Sequence, residues 1–190
     1  MTSPIVVRPL APASLGDYLA FFDGRAFTDN PHWASCFCFF HHNPDPDAWD
    51  RRGAQENRSD VSALIRQDRF HGFLAYRDDA VVGWCNAAPR LEIPMLARSK
   101  ELEVEDAGQV GSIVCFIVAH DHRRSGVATE LLQAACRSFA ERGLTIAEAY
   151  PRAGVFDAAS NYHGPADLYA AEGFTPFRKF DGWSIVRKAL

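Results

Sequence analysis

Hydrophobic and polar positions along the chain fall into short blocks of two different periods. Ile5–Leu10 predicts a short first strand, checked by Pro9. From Ser14 to Phe22 the apolar residues Leu15, Tyr18, Leu19 and Phe22 follow helical spacing, with Ser14 placed as N-cap. Phe27–Phe40 is rich in aromatics and shows no clear period. Asp45–Arg58 is polar and fits at most a mobile helix. Asp60–Gln67 predicts a short helix with Val61, Leu64 and Ile65 on one face. Phe70–Tyr76 and Ala80–Ala88 predict two strands around Arg77-Asp78-Asp79, a compact hairpin signal, and Pro89 ends the second. Arg90–Gly108 is charged and mixed, expected as loop or short helix. Val110–Ala119 is almost wholly apolar and rich in β-branched residues, the pattern of a strand covered on both faces. Ser125–Arg142 predicts a long amphipathic helix, with Val127, Leu131, Ala135 and Phe139 inward and Gly143 as its stop. Leu144–Tyr150 is a further strand closed by Pro151. Ala166–Glu172 is a short helix stopped by Gly173, and Phe174–Arg178 and Trp183–Arg187 are two last strands. The predicted order, β-α-α-β-β-β-α-β-α-β-β, is that of a mixed α/β sheet with flanking helices and one long helix directly after the most buried strand.

Composition narrows the class. With 190 residues and 47% hydrophobic content, one domain spanning 1–190 is expected, large enough to bury a core without staples. The longest apolar run, Ile113–Ala119, is far below the ~18 residues of a membrane span. Met1-Thr2-Ser3-Pro4 lacks the basic start and apolar core of a signal peptide, so a cytoplasmic location is expected. Net charge is −4, which gives no global attraction to nucleic acid or to an anionic membrane. Five cysteines argue against a closed disulfide framework, and Cys85, Cys115 and Cys136 read as small core residues.

The segment with chemistry in it runs from Ile113 to Ala128: a buried strand, a turn, then a helix start containing Arg123-x-x-Gly126-x-Ala128. The first turn of a helix presents unpaired N–H groups and a partial positive charge. Gly126 removes a side chain where a ligand would approach, Ala128 keeps the next turn thin, and Arg123 and Arg124 add charge. Such a turn suits a pyrophosphate. The absence of Gly-x-x-x-x-Gly-Lys-[Ser/Thr] disfavours a nucleoside triphosphatase loop.

This segment resembles the acetyl-CoA signature of the GNAT family of N-acetyltransferases, [Arg/Gln]-x-x-Gly-x-[Gly/Ala]. Arg123, Gly126 and Ala128 match its fixed positions, and Phe116-Ile117-Val118 matches the apolar strand before it. A second family feature, an aromatic-containing helix followed by Gly-Phe, corresponds to Leu168-Tyr169-Ala170-Ala171-Glu172-Gly173-Phe174. The resemblance spans essentially the whole chain, strongly from Val110 to Phe174 and weakly before Phe70. It implies the acyl-CoA N-acyltransferase fold, a splayed mixed sheet, and an enzyme moving an acetyl group from acetyl-CoA to a primary amine by direct transfer in a ternary complex. It implies that main-chain N–H groups from Arg124, Ser125, Gly126, Val127, Ala128 and Thr129 bind the CoA pyrophosphate. The backbones of Phe116 and Val118 would pair with the pantetheine arm like an added strand.

By the same resemblance Tyr169 is the expected proton donor to the departing CoA thiolate, its pKa of ~10 being comparable to the thiol's. A packing aromatic is the alternative role. The positions where relatives place a base correspond to Ser112 and Val114, neither competent, so the base is unassigned; Glu92, Glu103 and Asp106 precede that strand, and a water chain is a further route. His120 and His122 are expected as neighbours of the phosphates or as surface residues.

On the acceptor side, Trp84 and Asn86 share a strand face beside the expected cleft, and Tyr150 ends the next strand. The aromatic stretch Trp33–His42 reads as an apolar pocket wall or as packing against the sheet. Its Cys36, Cys38, His41 and His42 are possible Zn²⁺ ligands, but Cys-x-Cys is tighter than usual structural spacing and no metal is expected. A small-molecule amine is preferred over a protein acceptor because the implied pocket is aromatic. Family members often form dimers, so a homodimer is compatible. Two alternatives stay open: a non-catalytic acyl-CoA-binding or sensing module, supported by the missing acid at Ser112, and a Cys/His metal-binding regulator.

Overall fold

The computed structural model describes residues 3–154, 157 and 161–190. Its strands are β1 Val6–Pro9, β2 Gly72–Arg77, β3 Ala80–Pro89, β4 Val110–Val118, β5 Ile146–Ala149, β6 Thr175–Phe180 and β7 Trp183–Ala189. Its helices are α1 Leu15–Ala20, α2 Ala54–Arg66, α3 Pro94–Arg98, α4 Val127–Glu141 and α5 Ala166–Ala171. The sheet order is β1-β2-β3-β4-β5-β7-β6. All strand pairs are antiparallel except β4–β5, which the intervening α4 makes parallel.

Local chemistry explains the frame. Asp78 and Asp79 both hold left-handed backbones, with φ of 50° and 60°. Two such residues make the turn whose twist suits a two-residue hairpin, and short acidic side chains tolerate it. β4 is buried from Val110 to Phe116, as its unbroken apolar run requires. On one face of the sheet lies α4, which buries Val127, Leu131, Leu132, Ala135, Cys136 and Phe139. Its first turn sits close because residue 83 is glycine: a Cβ there would lie 2.6 Å from Val127 Cγ1. On the other face α1, α2 and the aromatic segment build a second core around Tyr18, Phe22, Phe37, Phe70 and Trp84.

Two stretches differ from the expectation. The polar 45–58 region divides into a 3₁₀ turn at Pro46–Arg51 and the start of α2 at Ala54, so that helix is longer than the expected Asp60–Gln67. Its polar first turns are held by Arg52, which bonds Asn57 Oδ1 at 2.6 Å, Glu56 Oε1 at 2.8 Å and Asp60. Such pairing leaves no hydrophobic period to read. The aromatic 27–42 region forms 3₁₀ turns at Pro31–Trp33 and Phe40–His42, with left-handed Phe37 and Cys38 between them. The charged stretch from Arg90, expected as loop or short helix, is of that kind: 3₁₀ turns at Arg90–Glu92 and Ala107–Gln109 flank the five-residue α3.

The feature that positions the site is a divergence of β4 from β5. They pair from Val110↔Ile146 to Ile113↔Ala149; β5 then stops while β4 runs on to Val118. The 161–164 segment enters this gap. Phe116 N–H donates to the Tyr162 carbonyl at 2.6 Å, and His163 Nδ1 lies 2.8 Å from the Val114 carbonyl, which only an Nδ1–H can satisfy. No described helix is long and apolar enough to cross a membrane.

Candidate active site

A cavity of about 990 Å³ opens between the start of α4, the free half of β4, the aromatic N-terminal segment and the 161–168 segment. It has an electropositive end and an apolar end.

The electropositive end is built by the turn into α4. Gly126 is the N-cap at φ +87°, a left-handed conformation natural to glycine, and Arg124 before it is also left-handed at φ +57°. No side chain caps α4. The N–H groups of its first turn therefore face outward unpaired, where a fifteen-residue helix concentrates its positive pole. Arg123, Arg124, Gly126, Val127, Ala128 and Thr129 all line the cavity. Ser125 is not among the lining residues; its hydroxyl donates to the His122 carbonyl at 2.7 Å and closes the turn.

Arg123 is a brace more than a free cation. Its guanidinium grips both oxygens of Asp29 at 2.5 and 3.0 Å, and its Nε donates to the Val118 carbonyl at 3.2 Å. Hydrogen bonding to Arg123 holds the Asp29 carboxyl below its ordinary range. The pair ties the N-terminal segment to the turn. Nothing in the hydrophobic pattern marks Asp29, so sequence reasoning missed it. Phe116, Ile117 and Val118 line the middle of the cavity, with the Phe116 N–H engaged by Tyr162.

The apolar end is lined by Phe27, Trp33, Phe40 and Trp49 together with Cys36, Cys38, His41 and Cys115. His41 is only 5% exposed, and burial, reinforced by His163 and His42, pushes its pKa well down, so it is neutral. Among the described residues no group of three or more His, Cys, Asp or Glu converges to hold an ion. His42 instead meets Asn86 Oδ1 at 3.2 Å.

The acceptor-side residues singled out in the sequence lie beneath or behind the cavity wall. Trp84 is fully buried, stacked on Phe70 with centroids 5.7 Å apart. Asn86, also fully buried, donates to the Cys38 carbonyl at 3.2 Å and supports the wall from below. Tyr150 belongs to a separate network, in which its hydroxyl contacts Glu148 Oε1 at 2.5 Å, Arg90 at 2.7 Å and Ser112 at 2.9 Å. Glu148 there is fully buried between Arg90 and Arg187, and Arg187 also binds Asp106. Two guanidinium groups and two carboxylates balance, and no site pattern in the sequence marked Glu148. Of the other carboxylates weighed as bases, Glu92 pairs with Arg142 at 3.0 Å and His71 at 3.2 Å.

Tyr169 lies at the base of the 161–164 segment, 1% exposed, its hydroxyl donating to the His163 carbonyl at 2.6 Å. Burial raises its pKa well above the ordinary phenol value. It does not itself line the cavity, but Gly164 and Leu168 beside it do.

A splayed mixed sheet with a glycine-capped helix opening into the gap is the architecture of the GNAT fold. The model of the acetyltransferase (GNAT) family matches residues 30–163, and the chain belongs to that family. No curated protein sequence matches it significantly. Among solved structures, the chain is similar to a ribosomal-protein-alanine N-acetyltransferase from Brucella melitensis, at 18% identity and TM-score 0.58 over 97% of this chain and 99% of that one. It is also similar to the PaiA N-acetyltransferase from Thermoplasma acidophilum in complex with coenzyme A, at 11% identity and TM-score 0.60 over 98% and 99%. A third is the ribosomal-protein-S18-alanine N-acetyltransferase from Escherichia coli, at 14% identity and TM-score 0.51 over 98% and 94%. Similarity at these identities speaks to the fold.

Proposed function

We propose that the protein transfers the acetyl group of acetyl-CoA to the primary amine of a small, largely apolar molecule, by direct attack in a ternary complex. The observation carrying this is the continuity of one cavity from the left-handed Gly126 cap, along the free half of β4, to an aromatic end. The N–H groups of residues 124–129 take the pyrophosphate, and Arg124 adds a full charge beside them. The pantetheine arm lies along Phe116 and Val118, which requires the Phe116 N–H to exchange its Tyr162 partner for the ligand. Coenzyme A in the Thermoplasma relative supports that ligand class. Tyr169, behind the lining residues Gly164 and Leu168, supplies the proton to the leaving thiolate, which requires its hydroxyl to leave the His163 carbonyl and turn towards the cavity.

The charge of the cavity supports this acceptor class. Asp29 is the sole acidic residue lining the cavity among the described residues, and Arg123 already neutralises it. A polycation would find no counter-charge in the aromatic end, whereas an uncharged amine on an apolar frame loses little on entering. Five free thiols fit a reducing compartment such as the cytoplasm.

A CoA-thiol release screen over aryl and alkyl amines, polyamines, aminoglycosides, amino acids and alanine-ended peptides tests this. Release with apolar amines is expected. Binding of acetyl-CoA without release for any amine would leave a non-catalytic acyl-CoA module. Release confined to the peptides would move the acceptor to a protein N-terminus.

A further inference from the structure

The acetyl-transfer scheme leaves the wall at Phe37–Cys38 unused, and this is where backbone strain, buried donors and a nucleophile coincide. Phe37 and Cys38 both hold left-handed backbones, at φ 46° and 51°, although neither is glycine. Such strain persists only where the surroundings over-determine it. Here the buried Tyr18 hydroxyl donates to the Phe37 carbonyl at 2.6 Å, and the buried Asn86 amide donates to the Cys38 carbonyl at 3.2 Å.

Cys38, only 2% exposed, is among the residues lining the cavity, and its sulfur lies among hydrogen-bond donors. Asn86 Nδ2 lies 3.4 Å from Cys38 Sγ. Among the described residues the indole N–H of fully buried Trp84 has no hydrogen-bond partner at normal distance, a rare state for a buried donor. The group it favours is the Cys38 thiolate, as does the Cys115 thiol. Burial pushes the Cys38 pKa up, but Cys115, Asn86 and Trp84 together outweigh it and hold the thiol below its ordinary value. Cys38 is alone among the five cysteines in this. Burial and the neighbouring Cys38 push Cys36 up to about 12; the bond to Cys38 and burial hold Cys115 well up; burial raises Cys85 and Cys136. A thiol held below its ordinary value is closer to the thiolate, which is the nucleophilic form, and Cys38 belongs to the cavity lining.

We propose that Cys38 is a second acetyl acceptor in this cavity, taking the acetyl group when acetyl-CoA is bound and no amine is present. The inference rests on the acetyl-CoA assignment above. The Cys38 thiolate attacks the thioester carbonyl carbon; a bond from that carbon to Cys38 Sγ forms, the bond to the CoA sulfur breaks, and CoA leaves as the thiolate. Negative charge passes from one sulfur to the other, with no oxidant, reductant or net proton. One thioester replaces another, so the exchange is close to thermoneutral and its extent follows the ratio of acetyl-CoA to free CoA. An incoming amine competes with Cys38 for the same acetyl group.

The full chain is incubated with acetyl-CoA in the absence of amine, quenched in acid, and examined by intact mass and peptide mapping. One added acetyl group is expected, on the peptide holding Cys38. Neutral hydroxylamine removes it, and so does excess CoA before the quench. Cys38→Ser abolishes it and Cys36→Ser retains it. Mapping of the unsubstituted protein decides the question even where a variant fails to fold. Acetyl-CoA binding by calorimetry with no acetyl on Cys38, or an acetyl group stable to hydroxylamine, overturns the proposal while leaving acetyl-CoA binding intact. Absence of binding heat overturns both.

Discussion

Tyr169→Phe removes one oxygen from a side chain that is 1% exposed and leaves its ring in place against Phe174, with centroids 5.3 Å apart. The lost hydroxyl helps hold the 162–164 segment, together with Phe116 N–H to the Tyr162 carbonyl and His163 Nδ1 to the Val114 carbonyl. Leaving the His163 carbonyl without its donor costs about 1–2 kcal/mol of unfolding free energy, read by urea denaturation. As proton donor to the thiolate, the hydroxyl has a separate effect. Turnover falls at least ~10-fold, or ~1.4 kcal/mol of barrier, while acetyl-CoA affinity by calorimetry stays within about twofold. Burial holds the phenol well above its ordinary pKa, so it keeps its proton and contributes no alkaline limb to the rate profile below pH ~10. A brace without chemistry would loosen the segment and move affinity and turnover together. Unchanged turnover removes Tyr169 from the mechanism.

Three further outcomes follow from the geometry. Glu148→Gln leaves the buried Arg90 without a carboxylate partner and the half-buried Arg187 with Asp106 alone, and lowers stability by about 3–5 kcal/mol; a loss under ~1 kcal/mol would contradict a charge-balanced network. His42 and His163 have pKa values depressed to about 4, chiefly by burial. Depressed folded values mean that stability is fully present above the unfolded value near ~6.5 and is lost as pH falls towards 4, so urea midpoints drop between pH 7 and 5. A flat profile across that window would refute their neutral burial. Gly126→Ala meets no atom within 4 Å of its new Cβ, so its penalty is the left-handed φ of +87°, about 1–2 kcal/mol, read as lower stability and several-fold weaker acetyl-CoA binding.

Sheet and long helix are legible in the sequence because each is stated by a single period. β4 announces itself by an unbroken apolar run, and α4 by Val127, Leu131, Ala135 and Phe139. The turn between them is legible because glycine at 126 is a backbone requirement and not a packing choice. Polar elements held by ion pairs are not legible: the first turns of α2 depend on Arg52, and the N-terminal wall is joined to the turn by Asp29 and Arg123. The acceptor-side residues that the pattern singles out lie one layer below the cavity lining. Alternation correctly sets Trp84 and Asn86 on one face, but that face is covered by the 36–42 turns, which have no period to predict them. Their left-handed Phe37 and Cys38 make Cys36, Cys38 and His41 the lining, while Trp84 and Asn86 support it.

The central claim is that the main chain from Arg124 to Thr129 grips the diphosphate of acetyl-CoA. Isothermal titration of the folded protein tests it directly, with dephosphorylated pantetheine as the control ligand. Saturable heat at about micromolar acetyl-CoA, lost for pantetheine, is the predicted result. No heat at millimolar acetyl-CoA, or equal affinity for pantetheine, would contradict it.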